Sequence, residues 1–225
     1  MHIEPGVVVN AKMILSYGTA AFACGFLIKE AIDSIIEESA MALLIRGALA
    51  TLLVLCFFEV LPHYAVGVSE VHLILGSTLF LFFGAPAAAI GLAGGLLLQG
   101  LFFAPFDLPQ YAVNITTLLA PLFAMRFLAG KIIGDDRPYV SIKYSQALQL
   151  SVVYQGGIVS WVAFWALYGQ GFSAANLAQI ASFGLAYSSI ILIEPLIDLG
   201  ALAGAKALNR HKTTALFEKR LYSAA

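Results

Sequence analysis

Long uninterrupted apolar runs constrain this chain more than any other feature. The stretch 40–61, AMALLIRGALATLLVLCFFEVL, holds one Arg and one Glu among 22 residues. A helix needs about 20 residues to cross the hydrocarbon core of a bilayer, and several runs in this chain reach or approach that length. In hydrocarbon every backbone N–H and C=O must be paired internally, so only helices or a closed barrel can span. Barrel strands alternate apolar and polar residues, and these runs do not. The charged fraction agrees: 11%, against about 25% in soluble domains. The chain therefore reads as an all-α integral membrane protein.

Seven transmembrane helices are predicted, at about 11–28, 40–61, 71–84, 86–104, 112–133, 147–169 and 176–207. The third is short, and the fourth follows it almost at once. Lys and Arg concentrate on the cytoplasmic side of membrane proteins, which sets orientation. With the N-terminus outside and the C-terminus cytoplasmic, Arg126, Lys131, Arg137 and Lys143 fall around an inner loop, and Lys206, Arg210, Lys212, Lys219 and Arg220 on an inner tail. Only Lys12 stays near the outer side. The acidic segment 29–38 also falls inside, but acidic residues contribute little to orientation. The expected division is an extracytoplasmic segment 1–10, a single transmembrane domain 11–209 and a basic cytoplasmic tail 210–225, in a multi-pass protein of the cell inner (plasma) membrane. The net charge of −1 and the lack of a basic patch give no reason to expect nucleic acid as a partner. Cys24 and Cys56 lie inside apolar runs and read as small membrane residues. No basic n-region or small-residue cleavage pattern precedes the first span, so Met1 is expected to be retained.

The topology puts His2, His63 and His72 on the outer side and His211 in the inner tail. A free amine followed by His2 is a chelator. The Met1 amine and the His2 backbone nitrogen close a five-membered ring on a metal; that nitrogen and the His2 imidazole close a six-membered one. Three nitrogens then lie near one plane, and a fourth completes the square-planar set favoured by Ni(II) or Cu(II). His72, at the mouth of the third span where a helix would hold it, and His63, after Pro62 in a loop, are both candidates for that fourth nitrogen.

Four segments in order carry a family resemblance: MHIEPG (1–6), SEVHLILGS (69–77), FGAPAAAIGLAGGLLLQGLFF (83–103) and YAVNITTL (111–118). They are similar to the MHIP-type start, the S-x-HLLGG segment, the L-G-P-W-A-A…LLLQALLF stretch and the G-A-N-x-x-N segment of the CbiM/NikM family. These are the substrate-binding membrane subunits of energy-coupling-factor cobalt and nickel transporters. The chain departs from the pattern at Glu4-Pro5, at Thr117 and at Ala87. The resemblance implies Met1, His2 and His72 as ligands of a transported Co(II) or Ni(II), with no cofactor of the protein's own. Glu70, Ser69 and Asn114, and beyond them Thr116 and Gln99, are candidates to support the ligands by hydrogen bonds. The implied partners are a transmembrane coupling subunit, cytoplasmic ATPase subunits and a small accessory membrane subunit.

Other polar residues stay open at this level. Glu194 and Asp198 share one face of the last span. Charges in a span mark functional candidates, although a span this long could equally end in the cytoplasmic interface. Arg46 can snorkel to the inner side. Small residues around the fourth span read as internal packing or as a flat face for a partner. No G-x-x-x-x-G-K-[ST] motif is present, so ATP hydrolysis is expected in other subunits, not in this chain. A stand-alone secondary transition-metal transporter is the alternative; it would call for mid-membrane ionisable residues and inverted repeats. An intramembrane enzyme built on His72 with Glu70 or Glu59 would lack a recognisable catalytic motif such as H-E-x-x-H.

Overall fold

A computed structural model describes residues 3–208 and 216–224. Met1, His2 and His211 lie outside the described residues. Six long helices follow one another: α1 Met13–Glu37, α2 Ala40–Glu59, α3 Gly76–Phe102, α4 Tyr111–Ile133, α5 Tyr144–Gln170 and α6 Ala174–Ala207. A two-stranded hairpin, β1 His63–Val66 and β2 Ser69–His72, sits between α2 and α3. All six helices are long and apolar enough to cross a membrane. The surface is that of a protein solvated by lipid: Phe22, Leu185 and Ile14 are 70–80% exposed, while Glu194, Asp198 and Gln155 are fully buried.

The bundle has two ends. At the hairpin end, β1 and β2 meet the N-terminal segment, the start of α4 and the α5–α6 turn: Ile3 pairs with Ser69, Ile3 N donates to Asn114 Oδ1 at 3.0 Å, and Lys12 Nζ donates to Gly169 O at 2.7 Å. The tail end gathers the α1–α2 turn, the α4–α5 loop and residues 216–224. There Arg220 donates to Gly134 O, Lys219 Nζ to Glu37 O and Glu218 N to Phe82 O at 2.8 Å.

The expected third and fourth spans form one element, α3, so six helices rather than seven are long enough to span among the described residues. Their predicted direction survives inside it. Gly84 has φ 80° and ψ 162°, outside any helix, and Pro86 follows in the first turn beyond it, where a missing N–H costs nothing. The segment before Gly84 descends from the hairpin end to Phe82, which contacts the tail. The segment after it climbs back. Gly47, Ala50, Thr51 and Val54 of α2 meet Ile90, Gly91, Gly94 and Gly95 in the same order, so this half of α3 runs parallel to α2. Glycines let the two backbones close up: a methyl on Gly91 or Gly95 would overlap Ala50 or Val54. The small residues of this stretch are thus internal packing.

Residues 62–72 differ from the loop the sequence suggested. Val66, Val68 and Val71 favour extended backbone, and Gly67, at φ 65°, supplies the positive dihedral that a two-residue hairpin turn requires. A methyl on Gly67 would also collide with Gln179 O at the start of α6. His72 therefore ends a strand instead of opening a helix, which begins only at Gly76.

Arg46 does not snorkel to the surface. It is 1% exposed and held by Glu38 and, at 3.1 Å, by Glu218. Arg46→Met is expected to lower stability by roughly 2 kcal/mol, less than the ~3–5 kcal/mol for breaking a fully buried pair, because the remaining carboxylates keep some water. Thermal unfolding in detergent reads this.

Candidate metal centre

His72 is fully buried at the end of β2, directly opposite His63 on β1. The two rings stack with centroids 4.8 Å apart and planes 12° from parallel. Phe58 from α2 meets His72 edge-on at 5.2 Å. His63 stacks on the imidazole and Phe58 packs perpendicular to it, so packing holds the ring's orientation. Nε2 lies 2.9 Å from Glu70 Oε2. When ionised, that carboxylate can only accept, and the proton between the two groups then belongs to Nε2. A carboxylate placed in this way fixes the tautomer and raises the basicity of a ligating histidine. His63 is exposed, with its Nδ1 3.3 Å from Leu61 O. Of the two histidines left open as the fourth nitrogen, His72 is the buried and oriented one.

The N-terminal segment is brought to the same place by main-chain bonds. Ile3 pairs with Ser69 across β2, and Glu4 N donates to Val68 O at 3.3 Å. Asn114 Oδ1 takes the Ile3 N–H, and Gln110 Nε2 donates to Val8 O at 3.0 Å. Gly169 is another contact: a side chain there would overlap Val7 O. Ser69 and Asn114 meet the segment at the Ile3 backbone, and Glu70 meets His72. Thr116 instead bonds Ala112 O and Thr19, between α1 and α4. Gln99 is buried in α3, its Oε1 without a hydrogen bond. Met1 and His2, the expected chelate, fall outside the described residues. Among the described residues no three His, Cys, Asp or Glu side chains converge as a closed metal set.

The sequence reading missed Asp107. It is buried in a 3-10 turn, Pro105–Gln110, and stands in electrostatic contact with Glu70 and Glu4. The available signal was the one charge in the loop APFDLPQ, set between two prolines. Burial, and next the facing Glu70 carboxylate, raise the Glu4 carboxyl above its ordinary value. Three carboxylates that repel one another at the hairpin end make a local field that favours a cation.

The donors in this region suit a divalent transition metal better than an organic substrate: an oriented imidazole, a carboxylate behind it, an acidic surround and a backbone-clamped terminal segment. No curated protein and no solved structure shows a significant match to the chain. One family model does, over residues 2–211: CbiM, described as the cobalt uptake substrate-specific transmembrane region. With nearly the whole chain matched, the protein belongs to the CbiM family, a membrane component of cobalt uptake.

Proposed function

We propose that this chain is the substrate-binding subunit of an ATP-driven, energy-coupling-factor type importer in the plasma membrane, and that it captures Co(II) or Ni(II) on its outer face. The observation that carries the proposal is the clamping of Ile3 between Ser69 and Asn114, on the strand that ends in buried His72. With Met1 as the amino terminus, its amine, the His2 amide nitrogen and imidazole, and His72 supply four nitrogens. Glu70 positions His72, and Ser69 and Asn114 position the segment. The chain crosses the membrane seven times, the two halves of α3 counting separately. The hairpin end faces outside and the tail end the cytoplasm, in keeping with the Lys and Arg distribution.

The chain supplies no ATPase motif, so the cycle is driven by cytoplasmic ATPase subunits through a transmembrane coupling subunit, with a small accessory membrane subunit as a further partner. The chain itself is no enzyme and needs no cofactor. Binding displaces protons from the imidazoles, with an ordinary pKa of about 6.5, and from the amine, at about 7.7–8.0. Affinity therefore falls as pH falls.

Uptake of Co(II) and Ni(II) by cells expressing the chain with and without ATPase and coupling subunits tests the proposal. Accumulation is expected only with them, and only with the hydrolytic site of the ATPase intact. Full uptake by the chain alone identifies a secondary transporter instead.

A further inference from the structure

Glu194 and Asp198 stand one turn apart on α6, both fully buried. They hold the start of α3. Glu194 Oε1 accepts from Ser77 N at 3.0 Å, and Oε2 from Ser151 Oγ at 2.6 Å and Gln155 Nε2 at 2.9 Å. Asp198 Oδ2 accepts from Ser77 Oγ at 2.6 Å, and Oδ1 lies 2.5 Å from Thr78 Oγ1. Gln155 Nε2 also donates to Ile74 O, so its own Oε1 is kept at the cluster, buried and without a hydrogen bond. The titratable groups facing the pair are Tyr154 of α5, whose ring packs on Gly76, and Tyr187 of α6. Both hydroxyls are buried and unbonded. α3 presents only the Ser77 and Thr78 hydroxyls. Tyr139, in the 3-10 turn Tyr139–Ser141 that also packs on α6, turns its ring to Arg220. Among the described residues no Lys, Arg or His pairs with either carboxylate.

Charge balance then decides the state of the cluster. One negative charge is offset by the N–H groups and dipole at the start of α3 together with the hydroxyl and amide donors. A second, enclosed in the membrane interior with no counter-cation among the described residues, is not. Each of the four carboxylate oxygens already meets a protein donor, which leaves few lone pairs for a metal ion. A proton needs no such room: Thr78 Oγ1 can accept it from Asp198 with no atom moving, since a hydroxyl both donates and accepts. We propose that Glu194 and Asp198 bind one proton between them at neutral pH, forming a proton site in the membrane interior that fastens the first turn of α3. The cluster shares no residue with the metal site, and the proposal survives if that reading fails.

Infrared spectra of the full chain in lipid at neutral pH test it. The wild type is expected to show the carbonyl band of a protonated carboxyl. Because one negative charge is tolerated, Glu194→Gln and Asp198→Asn should each abolish the band. Raising the pH should remove it from the wild type and lower the melting temperature, since a carboxyl that favours its proton in the folded state stabilises at low pH and loses that contribution as pH rises. If both variants fail to fold, the combined Glu4→Gln and Asp107→Asn variant carries the assignment, because it should keep the band. A wild type without the band at neutral pH, a spectrum that responds to Na⁺ or Co(II) in its place, a band that survives in both single variants, or a band lost in the Glu4–Asp107 variant overturns the proposal.

Discussion

Adding a single glycine ahead of Met1 is expected to abolish Co(II) and Ni(II) binding by the purified protein. The extension moves the α-amine three atoms away and replaces it with a secondary amide. The five-membered ring that anchors the metal while the His2 amide proton is driven off no longer forms in its register with His72. The expected loss exceeds about 100-fold, beyond the ~10–100-fold that follows loss of a hydrogen bond supporting a ligand. His72→Ala should match it, because the neighbouring His63 is exposed and lacks the clasp of Phe58 and Glu70 that holds His72 in place. Glu70→Gln should fall in the smaller range, since the imidazole stays and only its tautomer and basicity change. Calorimetric titration measures the affinities. For Ni(II), the absorption of a planar four-nitrogen complex reports the geometry, and its disappearance from the extended protein separates a lost chelate from a misfolded one. Unchanged binding in both the extended protein and His72→Ala would remove the terminal site from the proposal.

Gly84→Ala should cost about 3 kcal/mol of stability, from two sources. At φ 80° and ψ 162° the backbone occupies a region populated almost only by glycine, worth about 1–3 kcal/mol when another residue is forced into it. The new methyl would also press on Glu218 Oε2. That carboxylate is the end of a flexible side chain and can swing away, but in doing so it leaves Arg46. The backbone cost is the larger part. Gly200→Ala is the control: the residue lies inside α6 with nothing within 4 Å of a new methyl, and alanine there should stabilise by about 1 kcal/mol. The same chemical change is thus expected to move the melting temperature in opposite directions at the two positions. A Gly84→Ala protein as stable as the wild type would mean that the reversal in α3 does not depend on this residue.

Membrane class, helical content and most helix positions follow from the sequence, because a solvent without hydrogen-bonding partners leaves an apolar run few alternatives. The short third span and the abrupt fourth were visible as GAP at 84–86, a glycine and a proline at the point of reversal. His72, Glu70, Ser69 and Asn114 were singled out through the ordered resemblance, and the fold brings them together at the hairpin end. The strand character of 63–72 was less so: four-residue strands carry little periodicity, and their pairing is settled only when Gly67 closes on α6 and Ile3 joins Ser69.

What only the tertiary structure decided depends on groups far apart in the chain. Asp107 becomes part of an acidic surround because the α3–α4 turn closes over the hairpin end near Glu4 and Glu70. Arg46 becomes a buried clasp because residue 218 returns to it. Glu194 and Asp198 were two acids on one helix face with an open meaning; the broken start of α3, more than 110 residues earlier, makes them the cap of a helix inside the membrane. Local free energies of solvation and backbone geometry are written along the sequence. The cost of a charge depends on which distant donors enclose it, and that exists only once the chain has folded.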